Sequence, residues 1–443
     1  MILAKTEAKQ LIDRILGFSK ADECQVNLTS SENSHTRFAN NEITTSGTAR
    51  DFSLTISATI ERRTGRVTVN ELGDAVLRRA VERAEEIARI SPPDPEYLAP
   101  LGPQVYPEIN SYFEETARAR AADRLPGVRA VIEPAAKQNL DSSGFFTNGA
   151  VAMAFGNKRG NFGYHRTTSA NYSATVRTAD GTGSGWASDG ATRIDQIDAR
   201  RLAATAIRKA VESQKPQRIE PGHYPVILEP AAVNDLITLM MSSFNARQAE
   251  QGFSFLAKRG GDTLLGERVF SELVTIRSDP FDPRLPGLPW GAEGVPAEKV
   301  TWIEKGVVKN LTYDRNWAQQ SNRQPVPMGN FIMEGGTATL DELIKATKRG
   351  LLVTHFWYIR TVNPQNVLLT GLTRDGLFLI EDGRITKPVM NLRFNDSPVQ
   401  VLNRVEALSQ AVRTGSGLER REGCLAPAIK ASSFYFSSIS DAV

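Results

Sequence analysis

His355-Phe356-Trp357-Tyr358-Ile359-Arg360-Thr361-Val362 opens the stretch that decides how this chain folds. Leu372-Thr373-Arg374-Asp375-Gly376-Leu377-Phe378-Leu379-Ile380-Glu381-Asp382-Gly383-Arg384-Ile385 follows, and Asn391-Leu392-Arg393-Phe394-Asn395-Asp396-Ser397 closes it. Asp382-Gly383 is a dipeptide that two-residue hairpins favour, because both central positions need positive φ. Lys305-Gly306 reads as the same kind of turn. The last half of the chain is therefore expected to be rich in strands.

Working outward, Gly222-His223-Tyr224-Pro225-Val226-Ile227-Leu228-Glu229-Pro230 reads as a buried strand entering a helix from about Ala231 to Ala249. Leu402, Val405, Leu408 and Val412 have the spacing of a late amphipathic helix, before a terminal strand from Ala428 to Ser437. Near the start, Ala8, Leu11, Ile12, Ile15 and Leu16 predict an amphipathic helix. Gln25 to Thr29 and Phe52 to Ile60 predict strands. Thr64-Gly65-Arg66 reads as a turn. A long helix is expected up to Pro92-Pro93, since proline removes a backbone donor and restricts the residue before it. Asp198 is placed to cap a helix carrying Leu202, Ala206, Ile207 and Ala210 on one face. The fold class expected is α+β with several domains. Residues 1–107 form an N-terminal α/β unit ending in a proline-rich linker, 108–220 a central α+β unit, and 221–443 a strand-rich C-terminal domain.

Composition removes several classes. A chain of 443 residues is too long for one ordinary core. The 53 basic and 50 acidic side chains nearly balance, and Arg62-Arg63 and Arg420-Arg421 are pairs on a solvated surface, so no nucleic-acid footprint is present. No uncharged apolar run approaches the roughly 18 to 20 residues that span a bilayer. Cys24 and Cys424 are too far apart and too few for a disulfide framework, which points to a reducing compartment, and a cytoplasmic location is expected. No G-x-x-x-x-G-K-[ST] phosphate loop occurs; Gly181-Thr182-Gly183-Ser184-Gly185 lacks its flanking order, and Gly415-Ser416-Gly417 is no nucleophile elbow.

A zinc hydrolase needs nitrogen, sulfur or oxygen ligands at fixed separation and a carboxylate to activate the bound water. The four histidines, His35, His165, His223 and His355, include none followed by Glu and no two within ten residues. A helix-borne histidine pair is absent.

Taken in order, several segments carry a family resemblance. They are Thr36-Arg37-Phe38-Ala39-Asn40-Asn41-Glu42-Ile43, Gly222 to Pro230, Asp279-Pro280, Gly294-Val295-Pro296 and the opening stretch. Near the end come Glu422-Gly423-Cys424, Ala428-Ile429-Lys430 and Phe434-Tyr435-Phe436. Over nearly its whole length the chain resembles the TldD/PmbA (TldD/TldE) family, whose working assembly is a zinc peptidase. In the TldD branch a His-Glu-x-x-x-His motif lies on the helix after the Val-Ile-Leu-x-Pro-like strand. Here that helix reads Ala231-Ala232-Val233-Asn234-Asp235-Leu236-Ile237-Thr238-Leu239-Met240-Met241, so the chain is closest in character to the PmbA/TldE branch. The resemblance implies no catalytic residue and no cofactor in this chain, with zinc expected in a TldD-like partner. Cys424, placed like the third zinc ligand of the metal-bearing branch, becomes a remnant ligand. Val233, Leu236, Ile237 and Met240 take core spacing, which leaves Asn234, Asp235 and Thr238 to line any cavity. Arg360, Arg374 and Asp375 are candidates for substrate contact. The partners implied are a TldD-like zinc-bearing paralogue and an unfolded peptide. The alternative is a non-enzymatic peptide-binding or scaffold homodimer, and the family's historical link to DNA gyrase ranks last without a basic patch.

Overall fold

A computed structural model of the chain describes residues 2–415 and 424–440. Ser416, Gly417, Arg420, Arg421, Glu422 and Gly423, named above, lie outside the described residues. Six antiparallel strands, β1 (Glu23–Ala39), β2 (Glu42–Ile60), β3 (Arg63–Val69), β4 (Leu140–Asn157), β5 (Phe162–Thr178) and β6 (Ser184–Ala191), lie in the order β3-β2-β1-β4-β5-β6. The expected strands are the alternating parts of β1 and β2, where Cys24, Val26 and Leu28 are buried, as are Leu54, Ile56 and Ala58. Helices α1 (Lys5–Leu16) and α2 (Asp74–Ile90) close one core over these residues with Ile12, Ile15, Leu77 and Val81. After the short α3 (Glu114–Arg118), helices α4 (Ala121–Lys137) and α5 (Ala199–Glu212) close a second with Val128, Val131, Leu202 and Ala206. The Asp198 carboxylate caps α5 by accepting from the Arg201 N–H at 3.0 Å.

The boundary expected near residue 107 falls in the segment between Ile90 and Glu114, yet one sheet spans both units it separates. β1 and β4 pair from Gln25–Asn157 to Phe38–Gly144, so the backbone of the first unit is satisfied by the second. The proline-rich segment is anchored at several points. The Arg247 guanidinium grips both oxygens of Glu96 at 2.7 and 2.8 Å, Arg315 donates to the Ala99 carbonyl, and the Tyr106 hydroxyl donates to the Gly294 carbonyl. It straps the first sheet to the C-terminal domain.

Gly65 corrects the expected turn. The chain reverses at Glu61 and Arg62, both with positive φ, and Gly65 lies inside β3. A Cβ there would overlap the Ala84 carbonyl oxygen and the Ala88 nitrogen of α2. The glycine marks close approach of a helix and not a turn. Gly185 does the same for α5, where a Cβ would overlap Ala206 and Ala210 backbone atoms.

In the C-terminal domain β7 (Gly222–Leu228) pairs in parallel with Arg349–Asn363 and antiparallel with Ile429–Ile439. Ile429–Ile439 pairs with Leu392–Asp396, that strand with Leu368–Glu381, and Leu368–Glu381 with Arg349–Asn363. These five strands close into a ring, and Arg384–Pro388 adds to it at Leu368–Glu381 as an edge. Phe356, Phe394, Phe434 and Phe436 pack together, all nearly inaccessible. Both expected hairpins form, with positive φ at Asp382, Gly383, Lys305 and Gly306. Two helices are corrected. The one from Ala231 stops at Met241, and a new one, Ala246–Glu250, starts where Asn245 caps the Gln248 N–H. The late helix is only Pro398–Asn403; Val405–Leu408 is a strand paired with Ala431 to Ile429, so the three-residue apolar spacing spanned two elements.

Substituting Gly65→Ala or Gly185→Ala should each destabilise the protein by about 1–3 kcal/mol, the usual range for overpacking. Denaturant midpoints check this, and an unchanged midpoint would contradict the close approach.

Candidate functional site

Helix α6 (Pro230–Met241) follows β7 directly, started by a proline at its first position, where a missing N–H costs nothing. Val233, Leu236, Ile237 and Met240 are buried, as their spacing predicts. Asn234 and Asp235 are buried too, and Thr238 Oγ1 donates to Asn234 Oδ1 at 3.1 Å. Cys424 is brought to this helix from the far end of the sequence. Strand Leu425–Ala426 packs on α6, and the Asp235 charge acts directly on the thiol. Thr414 Oγ1 holds the residue by accepting from the Cys424 N–H at 3.0 Å. Burial pushes the thiol up to about 12, and Asp235 adds to the rise, so it stays protonated near neutrality.

This donor set does not fit zinc. A tetrahedral site needs several nitrogen, sulfur or oxygen ligands together, with cysteine as thiolate. The α6 face offers one carboxylate and one protonated thiol. Three of the four histidines are engaged elsewhere: His355 with Asp375, His165 with Ser111, and His223 with Ser433. Among the described residues no group of three or more His, Cys, Asp or Glu side chains is placed to hold a metal ion.

Beside the first turn of α6 lies a cavity of about 450 Å³, bordered by β6, α5, Pro230, Ala231, Thr354 and residues 411–415. Asn234, Asp235 and Thr238 do not border it. Lys209 of α5 reaches Glu229 at 2.7 Å, and the lysine side chain is only 4% exposed. Sequence reasoning missed this pair. Its signal was there, since Lys209 falls on the apolar stripe of α5, three residues after Ala206 and seven after Leu202.

The candidates for substrate contact separate. Arg360 lies over the Tyr358 ring at 4.0 Å, and Arg374 over Trp357 at 4.6 Å. Asp375 is buried at the seam between the two domains, accepting from Ser184 Oγ of β6 and meeting His355 Nε2 at 2.8 Å. The other ring nitrogen of His355 faces the Phe356 carbonyl at 3.0 Å, and Trp186 of β6 lies against the ring. Burial works to raise the Asp375 carboxyl, but His355, Ser184 and Arg374 together hold it below the usual carboxylate range.

Comparison with known proteins agrees with this architecture. Residues 24–88, 100–214 and 221–438 match the models for domain 1, the central domain and the C-terminal domain of the PmbA/TldA metallopeptidases. A metalloprotease of Methanothermobacter thermautotrophicus is 24% identical over 250 residues, 53% of each chain. The chain thus spans about half the length of that relative. A metalloprotease PmbA homolog of Haemophilus influenzae is 24% identical over 394 residues, 83% of each chain. The crystal structure of TldE from Thermococcus kodakarensis superposes with a TM-score of 0.82 at 20% identity, over 97% of this chain and 99% of that one. Among the described residues no helix is long and apolar enough to cross a membrane.

Two outcomes follow from the geometry. Iodoacetamide at pH 7.5 should leave Cys424 unmodified in the native protein and label it in denaturant, read by mass spectrometry; rapid native labelling would contradict its burial. Asp375→Asn should cost about 3–5 kcal/mol, because it strands a buried partner. The ordinary carboxylate value is 3.8 and the folded one lies below it. The contribution of Asp375 is therefore full above about pH 4 and lost as pH falls through the folded value. In Asp375→Asn that part of the acid dependence of unfolding should be missing.

Proposed function

The chain belongs to the PmbA/TldD metallopeptidase family, and from that premise we propose that it is the zinc-free, PmbA/TldE-like subunit of a two-chain cytoplasmic peptidase. The observation that carries this reading is the α6 face, where Asn234, Asp235 and the protonated thiol of Cys424 stand in place of a ligand set. A TldD-like partner then supplies the zinc and the carboxylate that activates water. This chain contributes walls and grip. An unfolded peptide is held most simply as an added strand, where backbone pairing selects for extension more than for sequence. Arg360 and Arg374 are the cations this reading assigns to substrate contact, and Asp375 acts there by holding the seam. Cys424 is retained as a remnant of the ligand set.

A non-enzymatic peptide-binding or scaffold homodimer is the second reading, favoured by the same missing donors. Metal analysis and a peptidase assay on the isolated chain, then on the chain co-expressed with a paralogue bearing His-Glu-x-x-x-His, separate the two. The isolated chain should hold no stoichiometric zinc and cleave no unfolded peptide. The pair should hold zinc and cleave it. Complete structural zinc sites bind with about 10–16 kcal/mol, so a real site would survive purification. One tightly held zinc per isolated chain would overturn the proposal, and a stable homodimer that ignores the paralogue would favour the second reading.

A further inference from the structure

Beyond the seam, the barrel wall carries an outward face that this chain leaves open. Phe356 and Phe394 fill the barrel interior, so their neighbours along the strands point outward. Three outward rows result. His355 stands opposite Arg374; Trp357 opposite Leu372, and Leu372 opposite Arg393; Arg360 opposite Thr370, and Thr370 opposite Asn395. Trp186 of β6 covers the first row at His355. In the other two rows Arg360 and Arg393 are exposed, and Trp357, Leu372, Thr370 and Asn395 are half-buried. Tyr358, in the bulge between Trp357 and Arg360, is 54% exposed.

None of these outward residues is acidic. Stacking on Tyr358 and Trp357 fixes the Arg360 and Arg374 guanidinium groups, and Arg374 leans on the buried Asp375 at 3.8 Å. The face therefore has an apolar centre, Trp357 with Leu372, and arginines around it. Tryptophan, tyrosine and arginine are the residues that dominate binding surfaces. From Leu369 to Leu372 the central strand is paired on both sides, so a ligand here cannot add as a strand and is read by side chains.

We propose that this face selects an acidic peptide as substrate, an inference that rests on the subunit reading, where Arg360 and Arg374 touch substrate. In an extended peptide alternate side chains face the same way, about 6.8 Å apart. The outward rows of the barrel have the same spacing. A Glu-x-Leu-x-Glu segment laid along Leu368–Glu381 sets its leucine on Trp357 and Leu372. One glutamate then meets Arg374 and the other Arg360, with Arg393 beside the centre. Arginine suits these carboxylates because its planar fork donates two parallel bonds. A basic peptide sets like charges together, and a nucleic acid brings phosphates but no apolar side chain for the middle row.

Titration calorimetry on the isolated full chain tests this. The probes are acetyl-Glu-Ser-Leu-Ser-Glu-amide, the matching Lys-Ser-Leu-Ser-Lys and Glu-Ser-Ser-Ser-Glu peptides, and a thymidine hexanucleotide. The first should bind at least about tenfold more tightly than any of the others. Arg360→Gln and Arg393→Gln, both at exposed positions, should each weaken it about fivefold with the thermal midpoint unchanged, and added salt should weaken it further. Binding needs no zinc, whereas zinc content and cleavage are read on the co-expressed pair, so a failed peptide preference and a failed subunit reading give different results. No binding of the first peptide by a natively folded chain, or equal binding of any comparison probe, would overturn the proposal. So would an Arg360→Gln or Arg393→Gln variant that binds like the parent.

Discussion

A carboxylate taken out of water must be met by charge and hydrogen bonds, and Asp375 meets its partners on two separate domains. His355 comes from the neighbouring strand of the closed barrel, while Ser184 comes from the last strand of the six-stranded sheet. Neither domain alone can satisfy the group. The seam position is thereby set, and with it the cavity, whose walls are β6 and α5 on one side and α6 with residues 411–415 on the other. Gly415 reinforces this, since a Cβ there would crowd the Ser188 hydroxyl and the Asp189 backbone of β6.

Much of this was legible in the sequence. The hairpins at Asp382-Gly383 and Lys305-Gly306, the strand-to-helix step at Gly222–Pro230 and the cap at Asp198 all rest on local rules that need no tertiary context. The neighbourhood of α6 and Cys424 was legible only through the family resemblance. What escaped reading depends on contacts between distant segments. Gly65 looks the same in a sequence whether it turns the chain or admits a helix. Leu402 to Val412 match a helical period, yet the pairing with Ile429–Ile439 decides the outcome. Lys209, Glu229 and Thr354 form the cavity wall because three elements converge there, and no local pattern announces that.

The α6 region brings together a buried strand, the helix that follows it and a cysteine from the far end of the chain. The buried polar groups of α6 find partners within the helix, as the Thr238–Asn234 bond illustrates. Cys424, surrounded and protonated, packs as a small apolar group would.

The antiparallel zip between β1 and β4 has a consequence for how the chain acquires its shape. During synthesis β1 emerges more than a hundred residues before its inner neighbour, with Ser30 to Phe38 awaiting Ala152 to Gly144. Pairing so distant in sequence is slow, because a long loop must close before any contact rewards it. The nascent hairpin therefore waits with an open inner edge while the helical and proline-rich segments pass, and the ribosome must deliver β4 before the first unit has a finished fold. Translation pace over residues 90 to 150 thus becomes part of the folding programme of the N-terminal domain.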